Sequence, residues 1–115
     1  MIRFLFLFFL FVNFTNAQVI TWSPFLPSID DTITITYDAS LGNASLINTN
    51  FIYAHTGVIS KFSSSESDWM NTPIEWHEGA DSIILMDNLG NFKHQLKFKI
   101  RDYYNVTYND NVKYL

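Results

Sequence analysis

The sequence predicts an all-β domain, an immunoglobulin-like antiparallel β-sandwich that follows a secretory signal peptide. The first observation is that strand-like segments are short and are separated by clusters of Gly, Asn, Asp, Ser and Pro. The second is that the mature sequence nowhere repeats apolar residues at helical spacing over three turns. The third is a length of 115 residues without cysteine, which indicates one domain held together by its hydrophobic core rather than by disulfides.

The first seventeen residues have the pattern of a signal peptide. Arg3 supplies a positive charge, residues 4–12 form an unbroken apolar run, and a polar stretch ends at Ala17. The nine apolar residues of this run would span about 14 Å as a helix, roughly half of a bilayer core. We therefore expect cleavage near Ala17 and a mature module of residues 18–115, with an uncleaved signal anchor as the alternative. Export without cysteine fits a bacterial periplasm or cell surface.

The charge balance argues against two classes of partner. The chain carries 11 acidic and 7 basic residues, and removing Arg3 with the signal peptide changes the formal net charge from −4 to −5. An acidic module without a basic stripe is not expected to bind nucleic acid. For the same reason, it is not expected to bind an anionic membrane surface once the signal peptide is cleaved.

The first half of the module contains three predicted strands. Residues 18–24, "QVITWSP", form a short first strand that the prolines stop. Residues 32–38, "TITITYD", alternate threonines with larger apolar residues, which suits a half-buried strand. A turn-rich connection, residues 40–50, precedes the third predicted strand, "FIYAHT", at residues 51–56.

The second half starts with a long polar loop, residues 60–73, which carries Trp69. A weak strand is predicted within residues 74–81 and a fully apolar strand, "SIILMD", at residues 82–87. The segment "DNLGN", residues 87–91, predicts a hairpin turn.

The clearest alternation follows in residues 92–100, "FKHQLKFKI". A shift of one residue would bury three lysines, so the register of this strand is well specified. The residues expected to face the core are Phe92, His94, Leu96, Phe98 and Ile100. After a turn-rich stretch, "VKYL" at residues 112–115 reads as the start of one more strand. We interpret the chain as an N-terminal fragment of a larger polypeptide, the alternative being a last strand that merely ends early.

The sequence offers little for catalysis or metal binding. There is neither a cysteine nor a G-x-S-x-G nucleophile elbow, so a nucleophilic triad is not expected. The acidic pairs in residues 66–68 and 75–78 lie in polar loops, where solvated carboxylates are normal. His77 and Glu78 form half of an H-E-x-x-H motif whose second histidine is missing. We expect no enzyme activity, no metal and no cofactor.

The aromatic residues are the remaining candidates for a binding site. Sugar rings have apolar faces that stack on exposed aromatic side chains, while nearby polar groups bond the hydroxyls. Trp69 stands in a serine-rich loop, where an indole either closes the end of the sandwich or meets a ligand. The same alternatives apply to Trp76. Tyr53 and His55 share one face of a predicted strand, and a strand with this alternation more often lines a core or its margin than a binding site. Trp22, beside Pro24, is expected to pack.

The segments "TITITYDASLGNASL", "FIYAHTGVIS" and "SSSESDWMNTPIEW" carry a family resemblance. Their order resembles the N-terminal immunoglobulin-like module of secreted Bacteroidetes proteins, including alpha-amylase-type glycoside hydrolases and proteins with a C-terminal sorting domain. The resemblance covers residues 31–115 and implies an exported module covalently linked to a downstream domain. That module continues into a strand of the type "AFVFR", whereas this chain ends in "KYL", so we expect the sandwich to lack its last strand or strands.

A more distant resemblance is to starch-binding carbohydrate-binding modules. These carry a tyrosine-x-histidine on one strand and a tryptophan in the loop that follows, although the intervening loop is longer here. The matching positions are Tyr53, His55 and Trp69, and Trp76 is the candidate for a second platform tryptophan. The resemblance implies that His55 and Trp69 form part of a sugar platform.

These observations lead to one expected function and two alternatives. We expect a non-catalytic, secreted accessory module that binds α-glucan or another polysaccharide through Tyr53, His55, Trp69 and Trp76. The first alternative is a structural spacer of a surface protein with no ligand of its own. The second is an adhesin that binds peptides along an open edge strand, which the acidic charge and the lysine row of residues 93–99 disfavour.

Overall fold

The described residues of the computed structural model, 18–75, 78–79, 81–113 and 115, form a mostly-β chain with one open four-stranded antiparallel sheet. The order of strands across the sheet is β1-β2-β4-β3. The strands are β1 (Ile20–Ser23), β2 (Thr32–Asp38), β3 (Asp87–Gly90) and β4 (Lys93–Lys99). A short helix, α1 (Ile100–Tyr104), follows β4 directly, and 3₁₀ turns occupy Ser82–Ile84 and Tyr108–Asp110. Within the described part of the chain, no helix is both long and apolar enough to cross a membrane.

The two central strands give the sheet one apolar and one polar face. Ile33 pairs with Phe98, and Ile35 pairs with Leu96, so these residues lie on the same face. Threonines, lysines and Gln95 occupy the opposite face. The alternation predicted for residues 32–38 and 92–100 is therefore confirmed from Thr32 to Asp38 and from Lys93 to Lys99. The sheet ends there because Ile100 begins α1.

The core packs on the apolar face of this sheet. Its buried members are Ile33, Ala39, Ile52, Val58, Met86, Leu96, Phe98, Ile100, Tyr104 and Val106. The layer that covers the sheet is built mostly from irregular segments, which two isolated bridges between described residues tie together: Tyr53 with Leu85, and Val58 with Met70. The described residues therefore show one sheet, and the second sheet of a sandwich stays a prediction.

The predicted strand at residues 82–87 was wrong. Asp81 caps this segment, because its Oδ1 atom accepts a 2.9 Å hydrogen bond from the Ile83 amide and so favours a 3₁₀ turn. Strand β3 instead occupies Asp87–Gly90, within the predicted turn. The chain reverses at Gly90, Asn91 and Phe92, whose φ angles are all positive. Phe92, expected in the core, is therefore 49% exposed.

The predicted strand at residues 51–56 is reduced to a single bridge at Tyr53. Two backbone hydrogen bonds flank that bridge, from Ala54 to Ile84 and from Met86 to Ile52, and the 3₁₀ turn ends the pairing. Residues 112–113 likewise form no strand, although the Lys113 amide donates to the Ile59 carbonyl at 2.8 Å. The predicted signal peptide, residues 1–17, lies outside the described residues.

Candidate carbohydrate-binding cleft

The described residues leave part of the apolar sheet face uncovered, and this part forms a cleft. The covering layer buries Ile33 and Leu96 on the central strands but leaves Ile20 52% and Trp22 44% exposed on β1. The resulting cleft has a volume of about 980 Å³. Its size lies within the range of small-molecule sites, and its exposed apolar floor is unusual for a surface that meets only water.

Trp69 and His55 stand together in the lining of the cleft. Their ring centroids are 6.3 Å apart, and the ring planes are inclined by 32°. The Trp69 side chain is 54% exposed, whereas His55 is partly buried. The structure therefore brings together two residues that are fourteen positions apart in the sequence.

The closeness of the two rings follows from the backbone around Gly57. The Val58 and Met70 backbones exchange hydrogen bonds of 2.9 and 2.8 Å. A Cβ atom at Gly57 would lie 2.9 Å from the Trp69 Cβ and 3.2 Å from the Met70 carbonyl oxygen. Glycine thus allows the loop that carries Trp69 to lie directly against the segment that carries His55.

Of the other two predicted site residues, the structure describes Tyr53 but not Trp76. Tyr53 lines the same cleft and is 42% exposed, because its neighbour Ile52 occupies the core side of the segment. Trp76 lies outside the described residues, as does His77. The platform proposed from the sequence is therefore described for Tyr53, His55 and Trp69.

The cleft also contains aromatic residues that the sequence did not single out for binding. Trp22 stacks on Phe25 with ring centroids 6.0 Å apart and planes inclined by 10°. The Trp22 Nε1–H donates a 3.1 Å hydrogen bond to the Phe25 carbonyl. Phe25 is 74% exposed, so the pair presents a wide apolar surface beside β1. The two prolines in "SPFLP" were a signal for the bend at residues 24–26, which follows β1 and contains Phe25.

Charge is scarce in the cleft. Among its described lining residues, Lys113 is the only Lys, Arg, Asp or Glu. Tyr104 is one of the residues that line the cleft, and burial raises the pKa of its phenol to about 12. Its hydroxyl therefore stays protonated at neutral pH and donates to Thr56. The lining suits a neutral ligand with apolar faces better than an ion.

A polar cluster stands at one margin of the cleft. The Tyr108 hydroxyl donates to Asp30 Oδ2, and Arg101 Nε lies 2.9 Å from Asp30 Oδ1 in an ion pair that lacks hydrogen-bond alignment. The Arg101 guanidinium lies 5.0 Å from the Tyr108 ring centroid. The hydrogen bond to Asp30 raises the pKa of Tyr108. These contacts join the turn before β2, α1 and the last 3₁₀ turn.

No group of three or more His, Cys, Asp or Glu side chains could hold a metal ion within the part of the chain that the structure describes. In comparisons with known proteins, the chain matches no family model, no curated protein and no solved structure.

Proposed function

We propose that this protein is a non-catalytic, secreted accessory module that binds a neutral polysaccharide such as an α-glucan. The observation that carries the proposal is the exposed Trp69 indole beside His55, at a largely uncharged cleft lined by further aromatic rings. Pyranose rings present apolar C–H faces and a rim of hydroxyl groups, which such a surface complements.

The described residues suggest a division of roles. Trp69 and Tyr53 offer exposed ring surface for stacking, and Trp22 with Phe25 extends that surface across the cleft. His55 supplies polar ring atoms for sugar hydroxyls. Several aromatic residues in one cleft of this size suit several consecutive sugar units rather than one, which is why we propose a polysaccharide.

The proposal also covers the fold of the module, its export and its linkage to another domain. We infer an immunoglobulin-like sandwich, since the Tyr53–Leu85 and Val58–Met70 bridges lie in the layer where a second sheet would stand. Export to the cell surface or medium, and covalent linkage to a downstream domain, rest on the sequence of residues 1–17 and on the Bacteroidetes resemblance. An experimental structure of the full-length gene product with a single sheet would refute the sandwich.

The strongest competing function is a structural spacer. Ile20 and Leu26 are 52% and 85% exposed at the cleft, and exposed aliphatic side chains of this kind also suit burial against a neighbouring domain. In that case, Trp69 would contribute to an interdomain contact and not to sugar binding. The two functions therefore differ in what replacing Trp69 does.

Affinity electrophoresis tests the proposal directly. The full-length protein, Trp69→Ala and Phe62→Ala would be run in native gels with and without soluble starch, and then with other glucans. Phe62 is the matched control, since it is 61% exposed but does not line the cleft. We expect at least one glucan to retard the wild type and Phe62→Ala alike. We expect Trp69→Ala to bind about tenfold more weakly, a loss of about 1.4 kcal/mol.

Two results would overturn the proposal. Unchanged mobility of the wild type in every glucan gel would leave the spacer function. Equal retardation of wild type and Trp69→Ala would show that Trp69, on which the proposal depends, makes no contact with the sugar.

A further inference from the structure

A second hollow, separate from the cleft, lies between the loop of residues 47–50, the β3–β4 turn and β4. Its volume is about 320 Å³, and it shares no lining residue with the cleft. The lining residues that matter here are Asn48, Asn50, Asn88, Asn91, Phe92 and His94. Four asparagines around one hollow provide many neutral donors and acceptors, because every amide side chain carries both.

His94, one of these lining residues, has a ring nitrogen without a hydrogen-bond partner among the described residues. The residue is only 2% exposed, and it sits on β4 between its cross-strand partners Tyr37 and Asn88. Its Nδ1 atom is buried and has no hydrogen-bond partner among the described residues. Buried polar atoms in folded proteins are nearly always paired, with protein, ordered water or ligand. His94 is one of the residues that line the hollow, so we take a group bound there as the partner of that nitrogen.

Phe92 places an aromatic ring at the same hollow. Its backbone has a φ angle of +63°, which is unfavourable for a bulky residue. Phe92 is nevertheless 49% exposed, so burial of its side chain does not offset the cost of this backbone conformation. Strained backbone of this kind is concentrated at binding sites, where neighbouring structure holds it in place.

We propose that this hollow binds one neutral hexopyranose unit. No Lys, Arg, Asp or Glu lines the hollow among the described residues, so its chemistry favours hydroxyl groups over ions. Its volume lies at the lower end of small-molecule sites, which favours one ring over a chain. The asparagine amides bond the hydroxyls, Phe92 packs on the apolar ring face, and one hydroxyl pairs with His94 Nδ1.

The test is an NMR titration of the full ¹⁵N-labelled chain with methyl α-D-glucopyranoside, methyl α-D-mannopyranoside and methyl β-D-galactopyranoside. We expect one glycoside at millimolar concentration to shift the His94 Nδ1 resonance and the asparagine side-chain amides in a saturable manner. Asn48→Ala should weaken binding about five- to tenfold, by loss of one hydrogen-bonding amide. The control, Asn109→Ala, changes an exposed asparagine that lines neither hollow and should leave binding unchanged.

A second variant keeps the test independent of folding. Phe92→Gly removes the ring while relieving the positive φ angle, so the protein should be at least as stable and still bind the glycoside more weakly. Absence of a saturable His94 shift with all three glycosides would overturn the proposal, as would equal binding by wild type, Asn48→Ala and Phe92→Gly. Trp69→Ala should leave the His94 shift intact, so failure of the cleft and failure of this hollow give different results.

Discussion

The Tyr104 hydroxyl donates a 2.7 Å hydrogen bond to Thr56 Oγ1, and this bond joins α1 to the segment that carries His55. Tyr104 is only 2% exposed and packs edge-on against Phe98, with ring centroids 5.4 Å apart. Phe98 belongs to β4 and is itself buried. The position of His55 is thus tied to the centre of the sheet through one phenol, which links the stability of the core to the geometry of the cleft.

Thr56→Val should destabilise the protein by about 1–3 kcal/mol. Valine has nearly the shape of threonine, but it leaves the buried Tyr104 hydroxyl without its acceptor. Urea unfolding measures the loss. The control, Thr34→Val on the polar face of β2, should change stability by no more than about 0.5 kcal/mol. Equal midpoints for both variants would show that the Tyr104–Thr56 bond contributes nothing.

Stability should fall at alkaline pH because of Tyr104. Its pKa is about 12 in the folded protein, raised by burial from an ordinary value of 10.0. The folded state therefore retains the proton more tightly than the unfolded state. This contribution is fully present below about pH 10 and is lost as the pH rises through about 12, amounting to about 2–3 kcal/mol at most.

The measurement is urea unfolding of the wild type and Tyr104→Phe at pH 8, 10 and 11. Lysines also titrate in this range, but they are present in both proteins, so their effect cancels in the difference. We expect the stability advantage of the wild type to shrink above pH 10. A difference between the two proteins that does not change with pH would contradict the assignment to Tyr104.

Gly57→Ala should damage both stability and polysaccharide binding. The new methyl group would lie 2.9 Å from the Trp69 Cβ and 3.2 Å from the Met70 carbonyl oxygen, so the two segments must separate. Overpacking of this kind costs about 1–3 kcal/mol. Urea unfolding and glucan affinity electrophoresis should both register the change.

Gly90→Ala is the matched control for Gly57→Ala. A methyl group there meets no atom within 4 Å, and the cost arises only from the positive φ angle of 78°. We expect it to lose about 1 kcal/mol of stability while binding glucan as the wild type does. If Gly57→Ala bound equally well, the closeness of Trp69 and His55 would not matter for binding.

Leu96→Ala and Lys97→Ala form a pair that tests the register of β4. Leu96 is 7% exposed and pairs with Ile35 on the apolar face, whereas Lys97 points to the polar face. Truncating the leucine should cost about 2–5 kcal/mol, and truncating the lysine less than about 0.5 kcal/mol. Thermal and urea unfolding measure both. A larger loss for Lys97→Ala would mean that the strand is shifted by one residue.

Asp30→Asn should lower the pKa of Tyr108 toward its ordinary value. The hydrogen bond to the Asp30 carboxylate is the main cause of the raised pKa, because it favours the protonated phenol. An NMR titration of the Tyr108 ring carbons follows the change, with Asp102→Asn as the control on the exposed side of α1. A Tyr108 titration identical in wild type and Asp30→Asn would contradict the contact.

The central strands illustrate what local pattern can predict. Residues 32–38 and 93–99 alternate between small or charged and apolar side chains, and a strand turns successive side chains to opposite faces whatever it pairs with. The sequence alone therefore predicts which residues of these two strands lie on the apolar face and which lie on the polar face. The turn at Gly90 to Phe92 was misplaced by a few residues, because "DNLGN" satisfies turn preferences at more than one register.

The candidate site was predictable in part for a similar reason. The polar residues around Trp69 indicated an exposed loop, which composition can show without knowledge of distant contacts, but they left open whether the indole itself would be buried. The contribution of Trp22 and Phe25 was missed, because it depends on how far the covering layer extends over β1. The Nδ1 atom of His94, which is buried and has no hydrogen-bond partner among the described residues, could not be found either, since burial and hydrogen bonding there depend on neighbouring strands.

The sequence by itself determined the mostly-β character, the two faces of the central strands and the exposure of the Trp69 loop. Each depends on the periodicity or composition of a few neighbouring residues. Only the tertiary structure decided that residues 51–56 and 82–87 pair through one bridge, that β1 stays partly uncovered, and that Trp69 meets His55 across Gly57. These features depend on contacts between segments far apart in the chain, whose packing outweighs the local preference of either segment alone.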